Sequence, residues 1–231
     1  HTSSGRPSDQ STSPLVEVGA GAGGHRNRNG ITVRDAQSDI TKNNQNDQSN
    51  IKLHIGIAEQ GKLYALAGDH QKALFYYRHA IRMTVEAKDP EVFFRHYLDC
   101  VMESLEQLGS YEEVLEYCNK AIQFYNDNPP PNPLAQWDLA GIHQRKGVIL
   151  LKMGDKEAVP EPFRKALDIA RELNQKLPLT ETLLRWVEAQ MHIDPGRVKT
   201  EQERTQYFTV RKETVDPARA VKLPNENMPG I

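Results

Sequence analysis

The sequence predicts an all-α protein: a solenoid of about three stacked helical hairpins plus a capping helix, with extended or disordered arms at both ends. Three observations carry that expectation. Apolar residues recur at helical spacing through the middle of the chain. A glycine followed by a capping residue interrupts that spacing at Gly68-Asp69, Gly109-Ser110 and Gly154-Asp155. The stretches around these three points align with one another without gaps.

In chain order, residues 1–50 are expected to be a disordered or extended polar arm. They hold few large apolar side chains and many Ser, Gly, Asn, Asp and Gln, as in "TKNNQNDQSN". Too little apolar surface is available there to offset chain entropy. The run "HRNRN" at 25–29 reads as a solvated tail, with a phosphate contact as the functional alternative. "GAGAGG" at 19–24 neither follows a strand nor opens a helix, so it is not a phosphate loop.

The repeated stretches are "GKLYALAGDHQKALFYYRHAI" from Gly61, "MESLEQLGSYEEVLEYCNKAI" from Met102 and "GVILLKMGDKEAVPEPFRKAL" from Gly147. Equivalent residues lie 41 and then 45 positions apart. Each stretch predicts an A helix, a turn and a B helix, giving helices at 51–67, 70–87, 91–108, 111–127, 134–153 and 160–175. The glycine ends each A helix, because the left-handed conformation needed there suits glycine. Asp69, Ser110 and Asp155 are placed to cap the B helices. Ala73, Ala80, Ala121 and Ala166 let paired helices approach, and Tyr64, Tyr77, Leu105 and Phe163 fill the remaining space. Pro160 and Pro162 delay the sixth helix, since proline suits only a first turn. "LTETLLRWVEAQMHI" at 179–193, with Thr180 as N-cap, predicts the capping helix, and "DPG" at 194–196 stops it. Residues 195–231 read as a second arm, helical at most near 198–208. Its apolar cluster, Tyr207, Phe208 and Val210, is the candidate anchor, either back onto the solenoid or onto another subunit.

The repeated pattern resembles the tetratricopeptide repeat (TPR), a helix–turn–helix unit of about 34 residues. Gly61, Tyr64, Gly68, Ala73, Tyr77 and Ala80 fill the family's signature slots in the first unit. Met102, Leu105, Val114 and Cys118 fill them degenerately in the second, and Gly147, Leu150, Gly154, Val159, Phe163 and Ala166 in the third. The resemblance spans roughly 51–176. The units are longer than the family norm, with extra residues at "TVEAKDP" and "NDNPPPNP". It implies a TPR-like right-handed solenoid over 51–194 whose A helices line a concave groove for protein partners. The groove positions are Ile55, Glu59, Lys62 and Leu66, then His96, Asp99, Glu103 and Glu106, then Gln144, Arg145, Val148 and Lys152. This mixed lining, acidic in the middle, is expected to hold an extended or helical peptide with a basic side chain near its centre. A merely solvated face is the alternative. The slots of the family's chaperone-tail clamp hold Ala58, Lys62, Cys100, Gly141 and Arg145. Only Arg145 fits, which argues against that clamp.

Charge and motifs narrow the function classes. The formal net charge is −2, with 17 basic and 21 acidic groups in 51–194. No segment has the basic footprint of a nucleic-acid binder. There is no G-x-S-x-G and no H-E-x-x-H, so no enzyme and no cofactor are expected. Glu112 and Glu113 suit the start of a helix. Cys100 and Cys118 form no disulfide framework or zinc site and are expected reduced in a helical core. The eight histidines show no ligand spacing. With no apolar run of 18 residues, no membrane span is expected, and the location expected is the cytoplasm. The sequence thus points to a non-enzymatic scaffold or adaptor, a subunit or assembly factor of a larger complex whose arms wrap neighbours. A regulatory domain for a signalling peptide, or an accessory module touching phosphates through the N-terminal arm, are the rivals. Oligomeric state is not specified by the sequence.

Overall fold

The computed structural model describes residues 33–226. Over this span the chain forms eight α-helices and two 3-10 turns, with no strand among the described residues. The helices are α1 (Val33–Leu66), α2 (His70–Ala87), α3 (Glu91–Gln107), α4 (Tyr111–Asp127), α5 (Pro133–Met153), α6 (Pro160–Glu172), α7 (Pro178–Glu188) and α8 (Pro195–Arg204). The first six pair as three hairpins, α1/α2, α3/α4 and α5/α6, each packed on the next.

The hairpin turns follow from backbone chemistry. Gly68, Gly109 and Gly154 all sit at positive φ, 83°, 77° and 85°. The next residue in each turn donates its N–H back to the A helix: Asp69 to Tyr64, Ser110 to Leu105 and Asp155 to Leu150. These bonds satisfy carbonyls the helix end would otherwise orphan. Asp69 caps α2 by accepting from the Lys72 N–H at 3.1 Å. Asp155 accepts from Ala158 inside the longer third turn, and α6 starts at Pro160 as its prolines demand. Ser110 makes no side-chain cap bond, so the expected cap is missing in the second hairpin.

Packing inside the hairpins explains why the second unit looks degenerate. Gly61 lies against the Tyr77 ring, and Gly147 lies so close to Phe163 that an added Cβ would fall 2.3 Å from the ring. In the second unit the sizes are exchanged. Met102 stands on the A helix and Cys118 on the B helix, both buried in the same cluster. Total volume is conserved while the bulk moves across the interface, a change that close-packed cores tolerate.

The hairpins are also joined by buried polar contacts. His54 of α1 is fully buried. Its ring nitrogens lie 2.8 Å from the Tyr97 hydroxyl of α3 and 2.8 Å from the Asp89 carboxylate in the connecting loop. Between the second and third hairpins, Arg145 pairs with Asp99 at 3.0 Å, and the Tyr125 hydroxyl donates to Asp138 at 2.8 Å.

Three further expectations change. First, α1 begins at Val33, so helix reaches into the segment read as a disordered arm. Residues 33–50 contain no Gly or Pro, and extending a helix already anchored by packing needs no new nucleus. Residues 1–32, including 19–24 and 25–29, lie outside the described residues. Second, α7 stops at Glu188 rather than 193. Gln190 takes a positive φ, and the Met191 N–H closes onto the Trp186 carbonyl. Third, Asp194-Pro195-Gly196 starts a helix. Asp194 accepts from the Arg197 N–H at 2.9 Å, and Pro195 occupies the first turn, where its missing N–H costs nothing.

Candidate binding site on the A-helix face

The A helices α1, α3 and α5 present one shared face, and α8 and the C-terminal arm lie on it. The arm crosses the repeats in reverse order. Gln202 of α8 donates through Nε2 to both Glu106 oxygens, at 3.2 and 3.3 Å. The N–H groups of Thr209 and Val210 both donate to the Glu103 carboxylate, the second at 3.1 Å. The Asp216 N–H donates to Glu59 at 2.8 Å, and the Val221 N–H to the Gly56 carbonyl at 2.9 Å. The described part of the arm reaches the first hairpin. There the Leu223 N–H donates to the Tyr76 hydroxyl at 2.9 Å, and Glu226 accepts from the Tyr64 and Tyr76 hydroxyls at 2.6 Å each.

Backbone conformation makes this docking possible. Between Thr205 and Glu226 the arm is irregular except for the 3-10 turns Lys212–Thr214 and Pro217–Arg219. Its N–H groups are therefore not consumed by helix bonds and are free to donate sideways. Phe208 is buried, Val210 packs against the core of the second hairpin, and Tyr207 against that of the third. The anchor cluster thus folds back on its own solenoid.

Among the groove residues expected from sequence, Glu59, Lys62, Glu103, Glu106 and Lys152 are buried on this face. Lys62 pairs with Glu59 at 2.7 Å, and Lys152 with Glu106 at 3.6 Å. Asp99, Arg145, His96 and Ile55 are partly exposed, and Leu66 is exposed. Leu66 edges a cavity of about 490 Å³ between the first turn, α3, α8 and the arm, with His70, Lys199 and Arg211 among its lining. Two residues lie elsewhere. Val148 is a core residue against α6 and α7, and Gln144 donates to Thr180 of α7 at 2.8 Å. Both face the capping helix, which repeat alignment alone does not position.

Electrostatics follow burial. Desolvation pushes the Glu103 carboxyl up to about 7, although the arm N–H groups and Arg145 oppose the rise. Burial also lowers Lys152 from its ordinary value, with Glu106 acting against it. Tyr64 and Tyr76 hold the Glu226 carboxyl below its ordinary range through their hydroxyls. Within the chain the acids of the face are matched by main-chain N–H groups at Glu103 and Glu59 and by the side chains of Lys62, Lys152 and Gln202 at Glu59 and Glu106.

Sequence alignment did not single out Gly56, Tyr76 or Glu226. Tyr76 precedes the signature aromatic Tyr77, and nothing in the repeat pattern distinguishes its hydroxyl. Among the described residues no His/Cys/Asp/Glu group is arranged to hold a metal ion. No helix among them is long and apolar enough to cross a membrane.

Residues 58–84, the C-terminal quarter of α1 with most of α2, match the family model of the tetratricopeptide repeat. Neither a search of curated proteins nor one of solved structures returned a match. The family match falls on the unit whose signature slots are best filled. With the all-helical hairpin stack, it makes the fold a TPR-like helical solenoid and the first hairpin a tetratricopeptide repeat, a module for binding other proteins.

Proposed function

We propose that the protein is a non-enzymatic scaffold or adaptor, a subunit or assembly factor of a larger complex, that binds protein segments along its A-helix face. One observation carries this reading. The face holds a non-helical segment of polypeptide by its main chain, at Glu103, Glu59 and the Gly56 carbonyl. Main-chain recognition of this kind suits a peptide-binding surface. Solvated helix faces do not place buried carboxylates under backbone N–H groups, because burying a charge without partners is costly.

The test is stoichiometric co-purification of partners with the full chain, identified by mass spectrometry, beside the Asp99→Arg variant. Asp99 is partly exposed and opposes Arg145 across the second and third hairpins. The expected result is a defined partner set that the variant retains less well. Absence of any stoichiometric partner, or equal retention by both chains, would count against the reading.

A further inference from the structure

The geometry points to a carboxylate-reading subsite at Tyr64 and Tyr76, whose external ligand is a non-helical, acidic peptide segment of another protein, with the chain's own arm as its internal mimic. The inference rests on the reading proposed above and names the chemistry of its partner.

The subsite is built from the first repeat. Two hydroxyls converge on one oxygen of Glu226 at 2.6 Å each. Tyr76 is fully buried, so its hydroxyl is held in place by packing against Ile57, Ala58 and Ala80. The Tyr64 and Tyr76 rings lie 5.4 Å apart, and the Lys72 ammonium sits 5.1 Å above the Tyr64 ring. Two oriented O–H donors and a nearby cation favour a carboxylate over a neutral or basic side chain. The Leu223 N–H bond to Tyr76 leaves that hydroxyl's own proton free for the acid.

The rest of the face sets the conformation of the ligand. Glu103 takes the N–H groups of two successive residues, Thr209 and Val210. Residues inside an α-helix have already spent those donors. The interior of a helical ligand therefore cannot make this contact, whereas an irregular segment can. A Cβ at Gly56 would fall 2.6 Å from Val221 and 2.7 Å from the Arg219 carbonyl, so glycine there allows the ligand backbone to lie against α1. None of these contacts depends on the ligand belonging to the same chain, apart from tethering through α8. The arm therefore occupies the site in cis and lowers the apparent affinity of a ligand in trans.

The experiment adds a labelled peptide of the sequence Tyr207–Glu226 to the full chain and reads binding by fluorescence anisotropy. Glu226→Gln in the chain weakens only the arm's own hold and leaves Tyr64 and Tyr76 intact. The expected result is that the Glu226→Gln chain binds the wild-type peptide roughly tenfold more tightly than the wild-type chain. Placing the same Gln in the peptide should remove most of that gain, and so should Tyr64→Phe in the chain. Binding that ignores the acid in the peptide, or no gain in the Glu226→Gln chain, overturns the inference. Light scattering at the same concentrations should show the wild-type chain as a monomer. A dimer that requires Glu226 would assign the site to a second copy's arm and overturn the external-partner assignment. Partner capture that survives alongside an acid-blind peptide site removes this inference and leaves the scaffold reading standing. Loss of capture with an acid-dependent site does the reverse.

Discussion

Replacing Glu103 by glutamine tests how the arm is held and at what electrostatic cost. The carboxylate is buried beneath the arm and its pKa rises from the ordinary 4.5 to about 7 in the folded chain. The folded state therefore holds the proton more tightly than the unfolded state. The stability that this side chain contributes is fully present below about 4.5, and it is lost as the pH rises through about 7. Between pH 5 and pH 8 the linkage amounts to about 2.5 kcal/mol. Glutamine keeps the shape and carries no charge, so the Glu103→Gln chain lacks this dependence. It also turns an amide N–H₂ toward one arm N–H, at a cost of about 1–3 kcal/mol for the unpaired donor. Urea unfolding followed by circular dichroism, at pH 5 and pH 8, gives the stability of each chain. Wild type minus variant should be larger at pH 5 than at pH 8 by about 2–3 kcal/mol. Groups elsewhere titrate in both chains and cancel in this difference. A difference independent of pH, or one that grows toward pH 8, would refute the reasoning.

Other outcomes follow from single contacts. Gly147→Ala drives a Cβ into Phe163 and should cost about 1–3 kcal/mol by chemical denaturation. His54→Ala strands the Tyr97 hydroxyl and Asp89 and should cost at least about 2 kcal/mol. Lys120→Ala breaks only the exposed pair with Glu116 and should cost less than about 0.5 kcal/mol. Asp69→Ala should lose about 1 kcal/mol of thermal stability, while Ser110→Ala should lose less, because its hydroxyl caps nothing. Burial pushes the Cys118 thiol up to about 12 and raises Cys100 further. Both should react with a thiol reagent only as the chain opens, so labelling rates should rise with denaturant.

The hairpin stack was legible because its causes are local. A glycine at positive φ, a helix period and a small-against-large pair each show in a few neighbouring residues. Even the degenerate second unit yields to this, once Met102 and Cys118 are seen as Gly61 and Tyr77 with their sizes exchanged. Boundaries were less legible where a cap used no glycine. Gln190 ends α7 in the left-handed region, and no composition rule marks that residue out. The start of α1 at Val33 is hidden from composition, because polarity measures lost core contacts and not the low cost of lengthening an anchored helix.

The class of fold, the three turns and most of the charged residues on the A-helix face follow from the residue pattern alone. What meets those charges is set by long-range packing. Glu59 and Glu103 are far from Asp216, Thr209 and Val210 along the chain, and the link between them is main-chain N–H, which carries no side-chain signature. The Tyr64–Tyr76 clasp on Glu226 is hidden for the same reason. Its donors belong to one hairpin and its acid to the C-terminal arm, and contacts over such separations depend on where α8 delivers the chain, not on any local pattern.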